Sequence, residues 1–190
     1  RSPADLLITN AKLVDVLTGE IRETDVSVGG GKILGFSHTE AVKVVDARGA
    51  YLLPGLIDAH IHIESSMVSP ARFAGLVLPH GTTSVVADPH EIANVHGLEG
   101  IRYMLENGRH LPLNIFIALP SCVPATPFED SGAVLSAEEL EELIDDPKVT
   151  GIGEMMNFPG VVSGDYDVLA KIQLGTSHGK IVDGHAPGLL

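Results

Sequence analysis

Two histidines, His60 and His62, lie one residue apart in the segment PGLIDAHIHIESS, residues 54–66, which is otherwise mostly apolar. Side chains of a β-strand alternate between its two faces, so in a strand both imidazoles point the same way. Imidazoles that share a face at the end of a strand can bind one divalent ion. The alternative is one histidine in the core and one on the surface, but the His-x-His spacing after Asp58 favours a metal.

Other ionisable residues occupy corresponding places further along the chain. Asp88 and His90 follow a second strand-like segment, Glu154 lies in the apolar segment VTGIGEMM, and His185 lies in VDGHAPG. A buried carboxylate needs a cation or a proton, so Glu154 is either a metal ligand or an ordinary glutamate at a strand end. His185 taken alone does not show whether it is a metal ligand.

The four residues together predict a site for one divalent metal or a metal pair, with Glu154 able to bridge two ions. A bound divalent ion lowers the pKa of water towards neutrality and so supplies a hydroxide nucleophile. The pattern therefore predicts metal-assisted hydrolysis or hydrolytic deamination without an organic cofactor. The residues that carry this prediction are His60, His62, Glu154 and His185.

A second cluster, Asp88, His90 and Glu91, lies in the segment ADPHEIANV. It either binds another metal, contacts the substrate or braces the loop after the second strand. Glu64 follows His60 and His62 at the same two-residue spacing, so in a continued strand it would face the mouth of the site. The alternative is that it caps the next helix.

Strand-like and helix-like segments alternate from Pro54 onward. We expect strands at 56–63, 82–90, 114–122, 149–156 and 180–187, and helices at 69–81, 98–108, 136–146 and 166–179. This order predicts a parallel sheet with right-handed crossovers, in either an open doubly wound fold or part of a (β/α)8 barrel. A closed barrel needs roughly 250 residues, more than remain here, and it carries its catalytic groups at the carboxyl ends of its strands.

Residues 1–53 have a different pattern, with short alternating apolar and polar runs that predict β-strands. The triple glycine at residues 29–31 predicts a hairpin turn, because glycine adopts positive φ without strain. A phosphate-binding loop is the alternative, but the Lys-Ser/Thr and the helix start that such loops need do not follow.

The composition excludes several classes of function. The chain is 44% hydrophobic with a mean hydropathy of +0.23, which predicts a folded core. A net charge of −13 without a basic cluster argues against nucleic-acid binding. No apolar stretch approaches the roughly 20 residues of a membrane span. A single cysteine, Cys122, beside nine histidines predicts a reduced, cytoplasmic protein.

The segment PGLIDAHIH after a small β-domain resembles the amidohydrolase superfamily, whose members combine a metal-dependent (β/α)8 barrel with a small β-sandwich built from both ends of the chain. The longer segments PGLIDAHIHIESSM, LPHGTTSVVADPHEIANVHGLEGIRYML and VDGHAPGL resemble the adenine-deaminating branch in particular. The resemblance covers essentially the whole chain. It implies that residues 1–53 are part of the β-sandwich and that residues 54–190 are the N-terminal part of the barrel, truncated after strand five.

By this resemblance His60, His62 and His185 are metal ligands and Glu154 is the bridging ligand. The implied reaction is hydrolytic deamination of adenine to hypoxanthine and ammonia by a metal-bound hydroxide, in purine salvage. The implied metal pair is Mn²⁺ or Fe²⁺, with Zn²⁺ as an alternative, and the implied full-length protein is a homo-oligomer. Glu154 and His185 are the expected catalytic residues, and Glu64, Asp88, His90 and Glu91 are the expected additional substrate or metal contacts.

The family pattern also needs a histidine after strand six and an aspartate, the general base, after strand eight. Neither position lies within residues 1–190, so we expect this chain alone to be inactive. The alternatives are another amidohydrolase, such as an N-acetylglucosamine-6-phosphate deacetylase, and a non-catalytic metal-binding fragment. Zinc deaminases of the cytidine type are excluded, because a single cysteine cannot supply their Pro-Cys-x-x-Cys motif.

Overall fold

The computed structural model of the chain describes residues 3–126, 128–185 and 187. The chain divides into two compact units, Arg1–Pro54 and Gly55–Leu190. Among the described residues, no helix combines the length and the apolar character needed to cross a bilayer.

The first unit is a mixed five-stranded β-sheet. Its strands are β1 (Ala4–Val14), β2 (Ile21–Gly29), β3 (Lys32–Gly35), β4 (Ala41–Asp46) and β5 (Tyr51–Leu52). The order is β3-β2-β1-β4, and β5 also pairs with β1. The predicted hairpin is confirmed, since β2 and β3 pair antiparallel across Gly30 and Gly31, which both have positive φ. The alternative interpretation of this segment, a phosphate-binding loop, is therefore excluded.

The second unit is built on a parallel sheet of five strands in the order β10-β9-β8-β7-β6. The strands are β6 (Leu56–Ile61), β7 (Thr82–Ala87), β8 (Asn114–Leu119), β9 (Val149–Met155) and β10 (Ile181–Gly184). Five successive parallel strands in sequential order are the pattern of a barrel rather than of a doubly wound sheet, whose order reverses at a switch point. The expected fold class, part of a (β/α)8 barrel preceded by a small β-domain, is confirmed.

The strands are connected by the helices α1 (Pro70–Val77), α2 (His90–Gly108), α3 (Ala137–Ile144), α4 (Phe158–Ser163) and α5 (Tyr166–Ser177). Helix α3 begins with a capping box, in which the Ser136 side chain accepts from the backbone N–H of Glu139 and the Glu139 side chain accepts from the backbone N–H of Ser136. The helices pack on the sheet around a core that includes Val85, Ile117, Ile101 and Leu140, all fully buried.

Four elements near the carboxyl ends of the strands differ from the sequence prediction. Strand β6 ends at Ile61, two residues before the predicted end, and a short 3₁₀ turn, Ile63–Ser66, follows it. Helix α2 begins at His90 and continues through a kink at Gly97, whereas we expected a helix only over 98–108. Helix α4 was not predicted. Strand β10 is shorter than the predicted 180–187, and Ala186 of that range lies outside the described residues.

Candidate metal centre

The predicted site residues come together at the carboxyl edge of the parallel sheet. His60 is in β6 and His62 directly follows it, Glu154 is the last residue but one of β9, and His185 directly follows β10. Parallel strands present their carboxyl ends on one edge of the sheet, which explains how residues far apart in sequence meet here.

His60, His62 and Glu154 form a tight triangle of possible ligand atoms. The Nε2 atoms of the two histidines are 3.1 Å apart, and Oε1 of Glu154 lies 3.2 Å from Nε2 of His62 and 3.5 Å from Nε2 of His60. Ligands about 2.1 Å from one tetrahedral or octahedral ion are separated from one another by about 3.0–3.4 Å. The triangle therefore fits a single divalent ion, and the three residues are a possible metal-ligand group.

A hydrogen bond orients the imidazole of His62, and a carboxylate faces that of His60. Nδ1 of His62 lies 2.8 Å from the backbone carbonyl oxygen of Asp88, so it donates its proton there and leaves the Nε2 lone pair free. Nδ1 of His60 lies 3.7 Å from a carboxylate oxygen of Asp183, too far for a hydrogen bond, while its Nε2 is on the side of Glu154. Asp183 was not a predicted site residue, although its position two residues before His185 was a usable signal.

The two carboxylate oxygens of Glu154 face different imidazoles. Oε1 faces His60 and His62, while Oε2 lies 2.5 Å from Nε2 of His185. The Glu154 side chain is 13% exposed. A carboxylate with one oxygen turned to each of two ligand groups has the arrangement that bridging of two ions requires.

Asp88 lies behind this triangle and is almost completely buried, with its side chain 1% exposed. Its Oδ2 accepts a 3.0 Å hydrogen bond from the backbone N–H of Glu154, and its Oδ1 lies 3.5 Å from Nδ1 of His90. This facing carboxylate raises the pKa of His90 above its usual value, although burial opposes the shift. Asp88 thus links Glu154 to the first turn of α2.

Two further carboxylates, Glu64 and Glu91, meet at the start of α2. Oε1 of Glu64 accepts a 3.3 Å hydrogen bond from the backbone N–H of Ile92, so Glu64 caps α2 rather than the next helix, α1. Burial, and then the neighbouring Glu91, raise the pKa of Glu64. Burial by itself would raise the pKa of Glu91. A 2.6 Å hydrogen bond from the Ser65 hydroxyl and the charges of the facing histidines have the larger effect, so the pKa of Glu91 is lowered.

Several buried polar atoms of this region have no hydrogen-bond partner among the described residues. An unpartnered buried oxygen or nitrogen costs about 1–3 kcal/mol, so a group of them indicates a missing ligand, ion or water. The atoms are Glu64 Oε2, Asp88 Oδ1, His90 Nδ1, Glu91 Oε2 and Asn94 Oδ1. Asp88 Oδ1 and His90 Nδ1 face each other at 3.5 Å, and the three remaining oxygens suit a cation.

The sequence profile of the Amidohydrolase family matches residues 51–189. The chain is a member of the amidohydrolase family. The match includes the whole parallel sheet and every predicted site residue, so the metal-ligand group at the strand ends lies within the family's own domain.

Two relatives within the family are similar along the entire chain. An adenine deaminase of Nitratidesulfovibrio vulgaris (strain DP4) is 63% identical over 189 residues, covering 100% of this chain and 33% of the relative. An adenine deaminase of Desulfatibacillum aliphaticivorans is 53% identical over 187 residues, covering 98% of this chain and 33% of the relative. The chain thus spans about a third of the length of these relatives.

A crystal structure of D-aminoacylase shares the fold, with a TM-score of 0.66 at 18% identity over 96% of this chain and 45% of that protein. At this identity the likeness concerns the fold alone. It agrees with the assignment of the second unit to the amidohydrolase barrel.

All eight predicted site residues therefore lie at one edge of one sheet, in two adjoining groups. The first group is His60, His62, Glu154 and His185, and the second is Glu64, Asp88, His90 and Glu91. Their individual roles stay predictions. Sequence reasoning missed Asp183 and Asn94, and it missed that His90 and Glu91 of the second group lie on a helix.

Proposed function

We propose that the full-length protein containing this chain hydrolyses adenine to hypoxanthine and ammonia. The observation that carries the proposal is the 63% identity, over the whole chain, to the adenine deaminase of Nitratidesulfovibrio vulgaris. Water adds to C6 of the purine, the bond from C6 to the exocyclic nitrogen breaks, and the nitrogen leaves as ammonia after it receives a proton.

Within this proposal His60, His62, Glu154 and His185 hold a divalent metal pair, Mn²⁺ or Fe²⁺. The ligand distances around Glu154 support this assignment, and D-aminoacylase, which shares the fold, has a binuclear metal centre. When bound, such a pair supplies Lewis acidity that brings the pKa of water near neutrality.

The chain's own residues prepare the site for this chemistry. His62 is held as the Nδ1–H tautomer by the carbonyl of Asp88, which presents a neutral Nε2 without any rearrangement. Glu154 is fixed through its backbone N–H, which donates to Asp88, so that both of its oxygens stay directed at the imidazoles. Such fixed positions matter because ligands that need not reorganise during the reaction stabilise the transition state best.

The proposal is tested with the purified full-length protein loaded with Mn²⁺, by measuring ammonia release from adenine. We expect turnover of adenine, and a loss of more than about 100-fold in Glu154→Gln, since the neutral amide has only one oxygen and cannot bridge two ions. N-acetylglucosamine-6-phosphate serves as the control substrate and should not be deacetylated, and the 190-residue chain alone should be inactive. Deacetylation without release of ammonia from adenine would refute the proposal.

The proposal also includes a cytoplasmic location and a homo-oligomeric full-length protein. A single cysteine supports a reducing compartment. Light scattering of the full-length protein tests the oligomeric state, and a monomer at all concentrations would contradict it.

A further inference from the structure

The first turn of α2 carries polar side chains that the proposed metal pair does not use. Asn94 lies four residues after His90 and three after Glu91, so it is a neighbour of both on the helix surface. Glu64 reaches the same place from the turn after β6, where it caps α2. The helix thus gathers two carboxylates, one imidazole and one amide beside the first group of residues.

We propose that Glu64, His90 and Glu91 bind a divalent cation of their own, in addition to the ions held by His60, His62, Glu154 and His185. Nε2 of His90 and Oε2 of Glu91 lie 3.8 Å apart, close enough for one ion to contact both after a small side-chain adjustment. His90 and Glu91 belong to a possible metal-ligand group together with His62. His62 directs its Nε2 at Glu154 instead, and Glu64, whose carboxylate meets that of Glu91, is the third ligand in this proposal.

Unpartnered atoms at this place support the site. Glu64 Oε2, Glu91 Oε2 and Asn94 Oδ1 are all buried and accept no hydrogen bond from the described residues. The second oxygens of these two neighbouring carboxylates have no donor, and a cation or a proton between them relieves the repulsion of the two groups. The backbone N–H groups at the start of α2 stabilise negative charge, but they satisfy only one oxygen of Glu64.

Asp88 also supports a cation site, because its carboxylate faces one ring nitrogen of His90 and leaves the other for a metal. Its nearly fully buried side chain turns the unpartnered Oδ1 towards Nδ1 of His90 at 3.5 Å. Histidines that bind metals regularly direct their second ring nitrogen at a carboxylate, which fixes the tautomer and leaves the other nitrogen free. In His90 the free atom is Nε2, which faces Glu91.

Both principal ligands are therefore held in place. Glu91 is fixed through its other oxygen by the hydroxyl of Ser65 at 2.6 Å, and His90 is fixed by Asp88. A site of two carboxylates and one imidazole suits a first-row divalent ion such as Mn²⁺. The inference concerns only the cation and does not depend on the substrate.

The experiment is a metal count on the full-length protein, stripped with a chelator and reloaded with Mn²⁺. We expect Glu91→Gln and His90→Ala each to lose one Mn²⁺ per chain relative to wild type, measured by plasma mass spectrometry after gel filtration. His96→Ala is the matched control, since His96 is exposed on the same helix, and it should retain the wild-type metal content. Glu91→Gln keeps the shape of the side chain, and circular dichroism reports whether each variant is folded.

Anomalous scattering at the manganese edge in crystals of the wild type gives a readout that needs no variant. We expect a peak in contact with His90 and Glu91, separate from the density at Glu154. Equal metal content in wild type and Glu91→Gln, no peak at Glu91, or a purine N–H bound there in place of an ion would each overturn the inference. A peak at Glu91 without deamination of adenine would uphold the inference and refute the proposed function.

Discussion

Substituting Gly153 with alanine should disturb the site by displacing the buried carboxylate of Asp88. A Cβ at position 153 would overlap Oδ2 of Asp88 and would lie 3.2 Å from the backbone carbonyl oxygen of Leu119. The backbone of β8 cannot move away, so the Asp88 carboxylate has to. Glycine is therefore required here for close approach rather than for an unusual φ.

The expected cost follows from two limiting responses. If Asp88 stays, the extra methyl is accommodated by overpacking, which costs about 1–3 kcal/mol. If Asp88 moves, the 3.0 Å hydrogen bond from the backbone N–H of Glu154 to this charged acceptor is lost, at about 1.5–3 kcal/mol. Because one response replaces the other, the costs do not add, and we expect about 2–3 kcal/mol of destabilisation.

Urea unfolding of the full-length protein in the presence of EDTA measures this change without a contribution from the metal. Gly75→Ala is the matched control, since Gly75 lies in helix α1 and a Cβ there would meet nothing within 4 Å. That control should be more stable by about 0.5–1 kcal/mol, because alanine favours the helix. The two glycine-to-alanine changes thus have opposite expected signs.

Metal affinity supplies the second readout for Gly153→Ala. Asp88 positions both Glu154 and His90, so its displacement should weaken Mn²⁺ binding about 10- to 100-fold. Wild-type stability together with wild-type metal affinity would refute the reasoning, since Asp88 would then have no positioning role.

Three further predictions concern separate parts of the second unit. His60→Ala combined with His62→Ala should lower the metal content of the full-length protein, and unchanged content by mass spectrometry would contradict the ligand assignment. Ser136→Ala removes the capping box with Glu139 and should cost about 1 kcal/mol of unfolding free energy, with Ser136→Asp as the rescuing control. Gly97→Ala places a residue with a side chain at backbone angles of φ 59° and ψ −140°, which favour glycine. Denaturant unfolding should therefore show about 1–3 kcal/mol of destabilisation. An unchanged unfolding midpoint would argue against a fixed kink.

Periodicity was sufficient to predict the five parallel strands, whereas their order, which separates a barrel from a doubly wound sheet, followed only from the resemblance to the amidohydrolase superfamily. Strand segments such as NIFIAL and VTGIGEM are apolar runs flanked by helical patterns, and the structure places β8 and β9 there. Such segments are buried on both faces, so the signal depends on composition and needs no knowledge of distant contacts.

The start of α2 was not predictable from local signals. Its N-cap is Pro89, which offers no side-chain acceptor, and Gly97 interrupts the helix after two turns. Rules for helix starts look for Ser, Thr, Asp or Asn at the cap. Here the acceptor for the backbone N–H of Ile92 is Glu64, which lies 28 residues earlier in the chain. A cap supplied by tertiary contact leaves no trace in the adjacent sequence.

The end of β6 shows how such contacts determine the position of His62. The loop after β7 pairs with the end of β6, since the backbone N–H of Asp88 donates to the carbonyl of Ile61 at 3.0 Å. The carbonyl of the same residue accepts from His62 at 2.8 Å. Alternation along a strand therefore does not by itself bring His60 and His62 together, because the strand has ended before His62 and the neighbouring loop positions it.

Asp88 is consequently the residue that unites the two groups of the site. Its backbone orients His62, one carboxylate oxygen holds the backbone of Glu154 on β9, and the other faces His90 on α2. Its side chain reaches past β8 to do so, which is possible only because position 153 is glycine. Since one buried carboxylate positions residues of both groups, the two groups should respond together to substitution of Asp88, whereas substitution of Glu91 should affect the second group alone.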